Sequence, residues 1–179
     1  MRKHVLCAAL CGAALLATPV VAAIRAMNLS ELMSITDDIV LVNITGKSTF
    51  ASAYPYEGVV YTQLSLAGES LRTGEAYEGK VVFLGSHDPA DQFGTSEMPS
   101  LQDTRVGNRA VIFFQHDDAF PGGGADVAYN LSYVYRIEEG FGTPVLMGKG
   151  EGAAFPENVK LSDARAQVTA AQALLQAGK

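Results

Sequence analysis

Apolar and polar residues alternate along residues 57–66. From position 60, one side of this segment carries Val60, Thr62, Leu64 and Leu66, and the other side carries Tyr61, Gln63 and Ser65. Successive side chains of a strand point to opposite faces, so the two-residue period predicts a long, half-buried strand. Gly68 interrupts the alternation and predicts a bulge that bends the strand into the wall of a barrel.

Further strands are predicted on both sides of this segment. They fall at residues 39–45, 80–85, 110–115 and 131–137, with a short segment at 145–147 that should pair with the last of them. Residues 46–56 are predicted to join the first strand to the second as a hairpin link. The segment at 80–85 is apolar on both faces, which predicts that something covers its outer side.

A helix is predicted at the N-terminal side of the strands. Asn28 is the expected N-cap, Glu31 completes a capping box, and Met27 and Leu32 occupy the positions of a hydrophobic staple. Leu32 and Ile35 are predicted to face the core.

A second helix is predicted at the C-terminal end, from residue 161. Ser162 is its expected N-cap and Gly178 its end. Its apolar stripe consists of Ala164, Val168, Ala171 and Leu175.

The first 23 residues have the layout of a secretory signal peptide. Arg2 and Lys3 precede an apolar run at residues 5–17, and small residues at 21–23 form the expected cleavage site. A membrane anchor is the alternative, but a spanning helix needs about 20 apolar residues, and Pro19 cuts this run short. The sequence therefore predicts a signal peptide at residues 1–23.

Cleavage would leave a single domain at residues 24–179 with no stable membrane insertion. We expect this domain to be exported by a bacterium and to be secreted or periplasmic. Cys7 and Cys11 are the two cysteines and would leave with the leader, so the domain would have no disulfide and no thiolate metal site.

The predicted domain is acidic. The 13 basic residues less Arg2 and Lys3 leave 11 against 19 acidic ones, a formal charge of −8. Such a surface repels phosphate backbones and anionic lipid, so nucleic acid is not an expected partner.

The order of these elements resembles the OB-fold barrel of the netrin-like group, which includes the tissue inhibitors of metalloproteinases (TIMPs). The likeness is carried by residues 38–42, 61–64 and 106–107 ahead of 111–114, and it spans about Ser30 to Ala177. The resemblance implies a mainly β fold: a five-stranded OB-fold-like antiparallel barrel with an N-terminal capping helix and a C-terminal helix. TIMPs chelate zinc through an N-terminal cysteine and are held by disulfides. This domain would have neither, so that inhibitory mechanism does not carry over.

Two histidines lie beside carboxylates: His87 near Asp88 and Asp91, and His116 next to Asp117 and Asp118. Such groups are typical of metal sites and acid–base pairs, although polar strand ends that face solvent have the same composition. In an OB barrel the two preceding strands run in opposite directions, which would separate the histidines by about 15 Å or more. They could not then share one metal, and no cofactor is predicted.

The sequence favours a binding protein over an enzyme, because it has no Gly-x-Ser-x-Gly elbow and no cysteine nucleophile outside the leader. A metal-assisted hydrolase built on a His-Asp cluster is the alternative. Aromatic residues in the predicted loops, Tyr54, Tyr56, Phe93 and Phe120, are candidates to contact an unknown protein or small ligand. The alternative for these aromatic residues is that they close the ends of the barrel.

Overall fold

A computed structural model describes residues 26–52, 57–91, 98–140 and 142–178. The predicted signal peptide lies outside the described residues, as do Tyr54, Tyr56 and Phe93. The elements are α1 (Leu29–Ile35), β1 (Asp38–Ala51), β2 (Val60–Ser70), β3 (Ala76–Leu84), β4 (Arg109–Asp117), β5 (Ala125–Val127), β6 (Val134–Glu138), β7 (Val145–Leu146), β8 (Val159–Lys160) and α2 (Leu161–Ala177). Among these described elements, no helix has both the length and the hydrophobicity that crossing a bilayer requires.

Five strands close into a barrel. β1 pairs with β2 and with β4, β2 pairs with β3, and the three-residue β5 joins β3 to β4. The β3–β5 pairing is parallel and contains only the pairs Val81–Asp126 and Val82–Val127, whereas the other four pairings are antiparallel. The closed barrel with a helix near each end confirms the predicted OB-like fold class.

The predicted fifth strand is only partly correct. Residues 131–133 of the predicted strand form a 3₁₀ turn, and only its second half becomes β6 (Val134–Glu138). The strand that closes the barrel is β5, which lies ahead of the predicted range. The Asn130 side chain accepts a hydrogen bond of 2.8 Å from the Ser132 N–H, a local bond that competes with strand pairing. β5 and β6 nevertheless lie along the same edge of β4, and β7 pairs with β6 as predicted.

The bulge lies in a different strand from the predicted one. The register shift is between Ile44 and Gly46 of β1, and Gly68 of β2 pairs regularly with Val42. A Cβ on Gly68 would lie 2.1 Å from the carbonyl oxygen of Leu41. Gly68 is therefore needed because β1 approaches the backbone of β2 too closely for a side chain.

The bulge also changes which side chains enter the barrel. β1 does not end at residue 45 but continues to Ala51, and Lys47 pairs with Leu64 while Thr49 pairs with Thr62. Leu64 and Thr62 are fully buried, and paired residues share a face of the sheet. One extra residue in β1 thus places Lys47 and Thr49 on the inner face of the sheet, where an unbroken alternation would have placed them on the outer face. Lys47 is half-buried there, and Thr49 is exposed at the mouth of the barrel.

The helices pack against the barrel much as the sequence predicts. Asn28 accepts from the Glu31 N–H and the Glu31 carboxylate accepts from the Asn28 N–H, so the capping box is confirmed. Ile35 is 43% exposed, and Met33 is buried in its place beside Leu32. The predicted cap of α2 is wrong: the N-cap is Lys160, and Ser162 is already inside the helix. The main core includes Ile39, Val40, Leu64, Phe83, Ile112, Phe113, Tyr135, Leu146 and Val168.

Candidate functional site

A groove crosses the outer face of the barrel where β2, β3 and β5 come together. We call it the aromatic groove; it has a volume of about 180 Å³ and is lined by Tyr61, Leu84, Asp117, Phe120, Val127 and Tyr129.

The floor of the aromatic groove is a small apolar cluster outside the main core. Phe50 and Tyr61 stack with ring centroids 5.8 Å apart, and Phe120 meets Tyr61 edge-on at 4.9 Å. These rings cover Val82 and Val127. The expectation that something covers the outer side of the third strand is therefore confirmed.

The rim of the aromatic groove combines exposed apolar side chains with a carboxylate. Leu84 is 37% exposed and Tyr129 is 46% exposed. The Tyr129 hydroxyl donates to the Asp117 carboxylate at 3.4 Å. Phe120, a predicted contact residue, is only 8% exposed, so it supports the wall of the groove more than its opening.

His116 lies among carboxylates beside the groove. Its Nδ1 is 2.9 Å from Asp126 Oδ1, and its Nε2 is 3.4 Å from Asp118 Oδ1. The hydrogen bond with Asp126 is the main reason why the pKa of His116 is raised. Asp117 instead accepts from the Ala119 N–H at 2.9 Å. Both imidazole nitrogens are thus already engaged by carboxylates, an arrangement that suits an ion pair.

His87 lies in a separate place, at the mouth of the barrel. Its Nδ1 is 3.2 Å from Nζ of Lys47, which also donates to Oγ1 of Thr104 at 3.1 Å. Burial is the main reason why the pKa of His87 is lowered, and the charge of Lys47 lowers it further. Asp88 accepts from the Ala90 N–H in the following turn. His87 therefore contacts Lys47, whereas the carboxylate of Asp88 is used in the turn that follows.

The described residues contain no group of three or more His, Cys, Asp or Glu side chains arranged to hold a metal ion. Asp91, a weak candidate ligand, lies in the 3₁₀ turn at Pro89–Asp91. His87 and His116 contact different partners and different strands, so the structure does not bring the two imidazoles together.

Comparison with protein-family models, with curated proteins and with solved structures gives no match to this chain.

The two histidines should titrate on opposite sides of the ordinary histidine pKa, about 6.5. The lowered pKa of His87 means that neutral His87 stabilises the fold above that pH, and that this contribution is lost as the pH falls. The raised pKa of His116 means that its ion pair stabilises the fold below that pH, and that this contribution is lost as the pH rises. NMR titration, assigned with His87→Gln and His116→Gln, measures both. A midpoint for His87 above that of His116 would contradict this assignment.

Several residues of these sites carry no signal in the sequence. Leu84 and Tyr129 approach the predicted Phe120 only because β3 and β5 pair. Lys47 contacts both His87 and Thr104 only because the bulge turns β1. Tyr61 is the exception, since the alternation of β2 already predicts that it faces out.

Proposed function

We propose that this protein is an exported, non-enzymatic binding module that holds its ligand in the aromatic groove. The observation that carries the proposal is the position of the groove. It lies over β2 and β3 and beside the loop between β4 and β5, which contains Phe120. OB-folds use this face and the loops beside it to bind extended ligands.

The lining of the groove limits the chemistry of the ligand. Tyr61 and Tyr129 offer ring faces and edges, the buried ring of Phe120 supports them from behind, and Asp117 offers a carboxylate at the rim. His116 beside it is surrounded by Asp118 and Asp126. Rings attract apolar and cationic groups, and carboxylates repel anions. We therefore infer a neutral or cationic ligand with one apolar face, and a nucleic acid does not fit.

We also propose that the protein belongs to the netrin-like and TIMP-like group. This membership is supported by the ring of five strands and by the helices that flank it. Zinc chelation by an N-terminal cysteine is not part of the proposal, because the predicted domain has no cysteine. Export to the periplasm or the medium rests on the N-terminal sequence alone.

The groove proposal is tested with three probes of one shape: benzamide, benzylamine and benzoate. In ¹H–¹⁵N NMR titrations, benzamide and benzylamine should shift the amide signals of Leu84, Val127 and Tyr129, and benzoate should not. An aromatic pair contributes about 0.5–1.5 kcal/mol, so Tyr129→Ala should weaken binding by about 2- to 10-fold. Val106→Ser, at a residue that is 50% exposed and does not line the groove, is the matched control.

Equal shifts with all three probes, or none with any, would exclude the proposed chemistry of the groove.

A separate measurement addresses the metal-assisted hydrolase. Zinc that purifies with the protein and disappears in His116→Ala or His87→Ala would show that the pure binding module is wrong.

A further inference from the structure

A second cleft lies at the mouth of the barrel, beside Lys47 and His87. It has a volume of about 570 Å³. We call it the mouth cleft; its lining includes Lys47, Thr49, Ser86, His87, Pro89 and Leu101. None of these residues lines the aromatic groove.

The ammonium of Lys47 is held in place by two neutral acceptors. Thr104 is fully buried, and its hydroxyl donates to the Ser100 carbonyl at 3.0 Å, so its oxygen is free to accept from Lys47 at 3.1 Å. His87 presents Nδ1 at 3.2 Å, and a nitrogen that faces an ammonium must carry no proton. An ammonium has three N–H donors. Since the described residues supply no further acceptor, one N–H of Lys47 remains for a ligand.

Lys47 and Lys149 are both partly buried, but they differ in whether a carboxylate balances the charge of the ammonium. Lys149 is paired with the carboxylate of Asp103. Among the described residues no carboxylate lies within ion-pair distance of Lys47. Burying a charge without an opposite charge is costly, and burial lowers the pKa of Lys47. An anion in the mouth cleft would remove that cost.

The rest of the lining favours an organic acid over a compact inorganic anion. Leu101 is 61% exposed, and with Pro89 it forms an apolar wall of the cleft. Lys47 is the one cation among the described residues that line the cleft, and Asp88, which also lines it, would repel a second negative charge. The net negative charge of the protein acts against anions at a distance but is screened beyond about 10 Å at moderate salt.

We propose that the mouth cleft binds a small monocarboxylic acid, with its carboxylate on Nζ of Lys47 and its apolar body against Leu101 and Pro89. The bulge in β1 makes this site, because it turns Lys47 into the barrel mouth. The site is separate from the aromatic groove and selects the opposite charge.

The test uses benzoate, its neutral isostere benzamide, and inorganic phosphate, with the full domain. Benzoate should shift the NMR signals of Lys47 Nζ, His87 and the Leu101 amide, whereas benzamide and phosphate should leave them unchanged. A hydrogen bond to a charged group contributes about 1.5–3 kcal/mol, so Lys47→Met should weaken benzoate binding by about 10- to 100-fold. Lys80→Met removes the same charge from an exposed position on β3 and should leave binding unchanged.

Leu101→Ser keeps the test informative if Lys47→Met does not fold. Leu101 is exposed, so this variant should fold normally and bind benzoate several-fold more weakly. The proposal is overturned if benzoate and benzamide give the same shifts, if phosphate competes equally with benzoate, or if Lys47→Met and Lys80→Met bind benzoate alike.

Discussion

Replacing Asp103 with alanine should lower the free energy of unfolding by about 3–5 kcal/mol, the cost of leaving a buried charge without its partner. Asp103 is 5% exposed. Its carboxylate pairs with Lys149 and lies 3.8 Å from the guanidinium of Arg136, while Ser100 Oγ donates to it at 2.6 Å. Arg136 would keep its ion pair with Glu138 at 2.8 Å. The side chain of Lys149 is only 11% exposed, so water cannot fully replace the carboxylate that Lys149 loses.

The matched control for Asp103 is Glu139→Ala. Glu139 pairs with Arg109 at 3.1 Å, but the two side chains are 57% and 35% exposed. Exposed pairs contribute about 0–1 kcal/mol. Urea denaturation of both variants at neutral pH measures the difference. Losses of equal size in the two variants would show that the Asp103 cluster is as well hydrated as the surface pair.

Replacing Gly68 with alanine should cost about 3 kcal/mol or more, the upper end of the range for overpacking. The added Cβ would meet the Leu41 carbonyl oxygen at 2.1 Å and the Val42 Cα at 2.7 Å. Both atoms belong to the backbone of β1, so no side-chain rotation relieves the clash. β1 must move, and it is also the strand that pairs with β4.

Gly140→Ala is the control for Gly68→Ala. A Cβ on Gly140 would have no atom within 4 Å, and no positive φ is required there. Thermal denaturation should give a lower midpoint for the Gly68 variant and a nearly unchanged one for the Gly140 variant. A Gly68 variant as stable as the wild type would mean that β1 and β2 separate without cost.

The barrel itself could be predicted from the sequence because its walls follow local rules. The alternation of β2 and the apolar run of β4 specify strands, and the Asn28–Glu31 capping box specifies where α1 begins. The extension of β1 to Ala51 and the 3₁₀ turn in place of the start of the fifth strand could not be predicted. The first depends on pairing with β2, and the second on a local bond of Asn130.

The aromatic groove and the mouth cleft could be predicted only in part, because their lining residues come from distant parts of the chain. Phe120 stands out as an aromatic residue in a glycine-rich loop, but its neighbours Leu84 and Tyr129 come from distant parts of the chain. Lys47 lies in a polar segment without period, and a strand that gains one residue inverts its faces. That inversion depends on the register with β2, which the sequence of β1 does not contain.

The short parallel pairing of β3 with β5 has a consequence for ligand binding. Only two residue pairs close the ring there, and the aromatic groove lies across them, with Leu84 on one side and Val127 on the other. A ligand bound in the groove would contact both β3 and β5, and so would bridge the strand pairing of the barrel that has the fewest residue pairs. Occupancy and closure would then be thermodynamically linked, since a ligand that needs the closed ring also stabilises it.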